Sequence, residues 1–167
     1  GEWLIFVNLS KVGTGDIMSG VLDTFQIGGL EFRNKFVLPP MQTGMADDGG
    51  VTDEMVHYYG ERASGNGLII VEHSYVSRLG RFSSNQLGIH NDDLIDGLGS
   101  LADRIKEEGA VAAIQINHAG SRVGDVEDER ASVSPSGSEG AHRLEGKEID
   151  RIIDEFSRAA YRASEAG

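Results

Sequence analysis

Three short stretches of this chain carry side chains that could hold a flat ring with an apolar face and a polar edge. The first is Phe36-Val37-Leu38-Pro39-Pro40-Met41-Gln42-Thr43, an apolar run stopped by two prolines and followed by a thioether, an amide and a hydroxyl. The second is Leu68-Ile69-Ile70-Val71-Glu72-His73, and the third is Ala113-Ile114-Gln115-Ile116-Asn117-His118. Prolines donate no N–H, so the turn after Leu38 is no phosphate cradle. Met41 either offers a soft apolar contact to a ligand or sits in the core. His73 either meets a ligand or bonds neighbouring backbone. Gln115 is more diagnostic, because an amide inside an apolar strand needs partners for both its oxygen and its NH2. A ligand with adjacent donors and acceptors satisfies it, and so does a neighbouring strand end. His118 could face the same mouth or cap its loop. Arg62 reads as an ion-pair partner. The five histidines lack metal-site spacing, and no Gly-x-Ser-x-Gly nucleophile motif occurs.

The elements that must position these residues are legible. Thr24–Ile27 and Leu30–Phe32 alternate about Gly28-Gly29, a hairpin signal. Strands are expected over 35–40, 67–72 and 111–116. Helices are expected over 52–64 with Thr52 as cap, over 92–108 closed by Gly109, and over 147–166, each with an apolar stripe at helical spacing. The stretch 117–147 is long for a strand–helix connection, and Asp125–Arg130 reads as solvated loop. Strand–helix alternation with continuous apolar strands predicts a parallel sheet covered on both faces. An open doubly wound sheet and the opening part of a (β/α)8 barrel both fit. The missing Gly-rich phosphate turn after the first strand favours the barrel, whose chemistry sits at the C-terminal strand ends.

Composition narrows the partners. The chain has 167 residues, a net charge of −12 and no cysteine. The negative balance argues against nucleic acid and anionic membrane, and disulfides and thiolate metal sites are excluded. Trp3–Val7 is too short to span a bilayer and lacks a basic leader. Residues 1–17 read as upstream read-through or an extension, with an added strand as the alternative, and 18–167 as the folded part.

Taken in order, Asn34–Thr43, Tyr58–Ala63, Gly67–His73, Gly88–Ile89, Gln115–Gly120, Ser134–Ser136 and Ala159–Gly167 resemble the old yellow enzyme family of FMN-dependent oxidoreductases. The branch with bacterial dienoyl-CoA reductases and enoate reductases is the most similar. The resemblance covers roughly 22–167. It implies a partial TIM (β/α)8 barrel: about the first three βα units plus the hairpin that plugs the base. It further implies NAD(P)H-driven reduction of an activated C=C bond in a small enone, enoate or enoyl thioester, in a cytoplasmic enzyme compatible with homo-oligomerisation. Pro40 and Met41 match positions lying against the flavin. Gln42 stands where a small or thiol-bearing residue is common, with Thr43 offering a hydroxyl. His73 stands where Ala or Gly is frequent beside the flavin, which implies a backbone rather than a side-chain role, and Gln115 matches the glutamine that holds the pyrimidine ring. The pattern continues in the family with a fourth strand bearing the substrate-binding His/Asn or His/His pair, and with a later phosphate site. The chain therefore reads as a truncated piece, inactive alone. A dihydroorotate-type FMN barrel is the rival enzyme, disfavoured by Gln115–Gly120. A non-catalytic partial-barrel binding or assembly module is the rival from another class.

Overall fold

The computed structural model describes residues 20–123, 132–137 and 140–167. The extension over 1–17 and the loop Asp125–Arg130 lie outside the described residues. The chain opens with a hairpin of β1 (Phe25–Ile27) and β2 (Leu30–Phe32), paired antiparallel. Its turn needs positive φ at both central residues, and Gly28 (59°) and Gly29 (91°) supply it. Phe25 and Phe32 stack at 4.9 Å across the pair.

Three strands then form one sheet in the order β3 (Val37–Leu38), β4 (Leu68–Tyr75), β5 (Val111–Asn117). Both pairings are parallel, as the strand–helix alternation predicts. β3 is shorter than the expected 35–40: it starts at Val37, and it ends at Leu38 because Pro39 and Pro40 cannot donate to a ladder. β4 runs on to Tyr75, beyond the expected end, because a bulge lets it continue past Glu72-His73.

Three helices cover one face. α1 (Asp53–Ala63) starts at Thr52, whose hydroxyl accepts the Met55 N–H at 3.3 Å. α2 (Ile95–Glu107) is preceded by a separate 3-10 turn, Asp92–Leu94, so the expected helix over 92–108 is two pieces. α3 (Gly146–Ala166) begins in a capping box of Glu145 and Glu148. Met55, Tyr59 and Ala63 of α1 meet Ile69 and Val71 of β4, and Leu98, Leu101, Ile105 and Ala159 close the same core. A short parallel pair, β6 (Val133–Ser134) with β7 (His142–Arg143), lies between β5 and α3.

The other face departs from the expectation of strands covered on both sides. Val37 and Ala113 are exposed there, on the face that a closed barrel fills with side chains of further strands. Arg33, just after β2, donates to the Ala63 and Glu108 carbonyls near the C-terminal ends of α1 and α2. The hairpin is thus held at the end of the sheet where the strands begin, leaving the strand C-termini clear.

Candidate active site at the strand ends

The bulge in β4 organises the site. Val71 pairs with Ile114, but Ser74 pairs with Ile116, so Glu72 and His73 together oppose Gln115 alone. The extra residue breaks strict alternation. Val71 and Glu72 both face the helices, and His73 turns to the open face. On β5, Ile114 and Ile116 pack against the helical core, which puts Gln115 and Asn117 on the open face with His73.

On the helix side, Glu72 is fully buried. Its Oε2 accepts the Thr43 N–H at 2.9 Å and the Tyr59 hydroxyl at 3.2 Å, while the Glu72 N–H donates back to the Tyr59 oxygen at 3.0 Å. Burial pushes the Tyr59 phenol well above its usual range. Three elements are pinned at one carboxylate: the turn after β3, helix α1 and the β4 bulge. The Thr43 hydroxyl turns inward to accept the Met45 N–H at 3.3 Å.

On the open side, His73 Nε2 lies 3.3 Å from Gln42 Oε1, and its Nδ1 lies 2.9 Å from Gln86 Nε2. Gln86 is fully buried and also reaches the His73 carbonyl at 3.1 Å and Asn117 Oδ1 at 2.9 Å. Burial lowers the His73 pKa, so the ring is neutral near pH 7. Gln42 Nε2 donates to Ser83 Oγ at 2.6 Å.

Met41 is 53% exposed, which removes the alternative that it belongs to the core. Pro40 is half-buried beside it. Gln115 is half-buried, and its amide has no side-chain partner among the described residues. Pro40, Met41, Gln42, Thr43, His73 and Gln115 therefore gather at one end of the sheet. His118 does not join them. Its Nδ1 accepts the Gly120 N–H at 3.1 Å, and its ring packs against Gly80, where any Cβ collides with it. Arg62 is a correction: its guanidinium stacks on Tyr58, 3.5 Å from the ring centre, and donates to the Tyr58 carbonyl, and it pairs with no acid among the described residues.

Sequence reasoning missed Gln86, Asn117, Ser83 and the anchoring role of Tyr59. Gln86 carried one signal, an amide beside the apolar pair Leu87 and Ile89. Tyr59 was visible only as part of the apolar stripe of α1.

The arrangement has clear relatives. Residues 22–167 match the profile of the NADH:flavin oxidoreductase / NADH oxidase family. The chain is 39% identical over 149 residues to an NADH:acrylate oxidoreductase of Vibrio harveyi, covering 83% of this chain and 15% of that protein. It is 33% identical over 156 residues to an NADPH dehydrogenase of Listeria monocytogenes, covering 90% of this chain and 46% of that one. Among solved structures, the old yellow enzyme homologue from Zymomonas mobilis superposes with a TM-score of 0.79 at 26% identity, covering 89% of this chain and 46% of its own. Such enzymes are (β/α)8 barrels, and the open parallel sheet here corresponds to their N-terminal part. The chain spans less than half the length of these relatives. It belongs to the NADH:flavin oxidoreductase / NADH oxidase family.

Proposed function

From that membership, we propose that the chain supplies the flavin-contacting strand ends of an FMN-dependent, NAD(P)H-driven oxidoreductase that reduces an activated C=C bond. The observation that carries this reading is the convergence of Met41, Gln42, His73 and Gln115 on the open face at the C-terminal strand ends. The donor set fits the ring system of FMN. Gln115 offers an adjacent acceptor and donor to a pyrimidine edge, and exposed Met41 offers a polarisable contact to a flat ring. When bound, FMN supplies the hydride chemistry. The chain's own residues hold and orient it. Gln115 fixes the pyrimidine edge. Pro40 and Met41 present a rigid backbone turn. Glu72 locks Thr43 so that this turn cannot swing away. The neutral His73 and Gln42 form a polar rim at fixed geometry.

The substrate class that fits is a small enone, enoate or enoyl thioester, handled in the cytoplasm. No helix among the described residues is long and apolar enough to cross a membrane. The chain by itself is expected to hold FMN weakly and to leave an enone unreduced, because among the described residues no further strand pairs beside β3 or β5 and the face meant for a ring is half uncovered. A homo-oligomer is one way to cover those edges. A non-catalytic assembly module is the competing reading, favoured by no particular residue.

FMN fluorescence quenching on a restored full-length enzyme carrying this segment, with and without Gln115→Leu, tests the proposal. The substitution is expected to weaken binding from a few-fold to about a hundredfold, the scale of a polar edge left unpaired at roughly 1–3 kcal/mol. Equal affinities remove Gln115 from the site.

A further inference from the structure

The polar side chains at the strand ends form one hydrogen-bond chain whose direction is fixed at both ends by backbone. It starts at the Phe82 N–H, which can only donate, and does so to Gln86 Oε1 at 2.7 Å. That contact orients the Gln86 amide, so its NH2 must face His73 Nδ1 at 2.9 Å, and Nδ1 must accept. The His73 proton is then on Nε2 and points at Gln42 Oε1, 3.3 Å away. The Gln42 NH2 in turn donates to Ser83 Oγ at 2.6 Å. The Ser83 hydroxyl donates to Asn85 Oδ1 at 3.0 Å, and Asn85 Nδ2 ends the chain on the Gly44 carbonyl at 3.1 Å. A donor-only start and an acceptor-only finish leave one consistent polarity. Reversing any amide or changing the imidazole tautomer sets two donors, or two acceptors, against each other.

We propose that Gln86 is a positioning residue: it sets His73 in the Nε2–H tautomer and thereby fixes which way the Gln42 amide faces beside the Met41 turn. The inference deepens the proposed flavin site and rests on that reading for its consequence, though not for its geometry. Gln86 is suited to the task because it is fully buried and tied to both β4 and β5, through the His73 carbonyl and Asn117. Its three acceptors share two amide hydrogens, which leaves none spare for solvent. The role matters because Gln42 and His73 are the side chains that rim the open face. Their donors and acceptors decide which edge of a bound ring, or which substrate oxygen, is met by hydrogen and which by a lone pair.

The test is the ring-nitrogen spectrum of His73 in the 15N-labelled chain. The wild type is expected to show a pyridine-like Nδ1 and a pyrrole-like Nε2. Gln86→Glu replaces the donor by an acceptor and is expected to move the proton to Nδ1, exchanging the two signals. Gln86→Met, similar in volume, is expected to leave a mixture. FMN titration on the same proteins should show affinity about fivefold weaker in Gln86→Glu, the scale of one hydrogen bond of about 1 kcal/mol. A wild-type His73 protonated on Nδ1 overturns the proposal without recourse to any variant. So does an unchanged tautomer in Gln86→Glu, or an exchanged tautomer with unchanged FMN affinity. Failure of the wild type to bind FMN even weakly counts against the proposed function alone, and the nitrogen signals still decide the role of Gln86.

Discussion

Glu72 and His73 are neighbours in sequence, yet the β4 bulge sends them to opposite sides of the sheet. On the helix side, Glu72 is fully buried and spends its carboxyl group on holding the fold together. On the open side, His73 belongs to an all-neutral network that borders unfilled space. The difference separates two tasks. A buried carboxyl group bonded to two separate elements resists deformation, and its loss is severe because the partners are stranded. A network of amides and one imidazole costs less to rearrange and offers both donors and acceptors to a ligand. Glu72 anchors the turn that carries Met41 and Thr43, while His73 and Gln42 rim the space into which that turn points.

The sharpest way to break this contrast is Glu72→Ala. It leaves the Thr43 N–H and the Tyr59 hydroxyl without a buried acceptor, and opens a cavity. We expect unfolding free energy to fall by about 3 kcal/mol, the scale of stranding two buried donors and opening a cavity. Urea unfolding followed by circular dichroism measures it. A loss no larger than that of an ordinary surface substitution means that the carboxylate is not the anchor.

Tyr59→Phe probes the same anchor from the other partner. The ring and its packing stay, and only the hydroxyl that bridges Glu72 N and Oε2 is lost. The expected cost is about 1.5 kcal/mol, smaller than for Glu72→Ala because Thr43 still bonds the carboxylate. Equal losses in the two variants show that the phenol, not the carboxylate, is the keystone.

The division between the two sides was only half legible in sequence. Regular elements came through because apolar periodicity and capping residues report local physics. Thr52, Gly28-Gly29 and the stripe Met55, Tyr59, Ala63 act within a few residues of themselves. The strand-end residues were also visible, since polar groups that interrupt apolar runs must find partners. The bulge was not. An extra residue in β4 is a property of pairing between β4 and β5, and nothing in Glu72-His73 alone declares that two positions will oppose one. The role of Gln86 was hidden for the same reason, although its amide beside Leu87 and Ile89 was a signal. Its three acceptors come from strands 13 and 31 residues away along the chain. Arg62 was misread because its stacking partner Tyr58 is four residues back on the same helix, a geometry that charge counting overlooks.

Acid exposes a second aspect of the comparison. His90 stacks on Tyr75 at 4.7 Å, and its pKa is pushed down to about 4, chiefly by burial and then by Arg78, with Arg162 and Arg81 opposing the charge and Asp48 favouring it. Burial also lowers His73 and His118. A depressed histidine means that the unfolded chain binds the proton more readily. The stability these rings confer is complete above the unfolded value of about 6.5. It is lost as pH falls from there toward about 4 for His90. Because the His90 ring is half-exposed, its share is on the order of 1 kcal/mol, well below what a sealed ring contributes. His90→Phe keeps the stack and removes the titration, so its stability between pH 6.5 and 4 should fall less steeply than that of the wild type. Identical slopes in the two proteins reassign the acid sensitivity to His73 and His118.

The smallest effect is expected from His73→Ala, and it discriminates most finely between the two sides. Removing the imidazole strands no charge. Gln86 keeps the His73 carbonyl and Asn117 Oδ1 as acceptors, and the orphaned Gln42 oxygen lies at a half-exposed position where water can replace the lost donor. The cost to unfolding free energy should therefore stay under about 1 kcal/mol, the worth of a single neutral hydrogen bond. Its consequence belongs to the site: with the Gln42 amide free to turn, FMN affinity should change by more than stability does when the two are compared in the same units. A large loss of stability, with FMN affinity following only in proportion to the folded fraction, places His73 in the structural class of Glu72. The open face then loses its claim to a task distinct from that of the helix side.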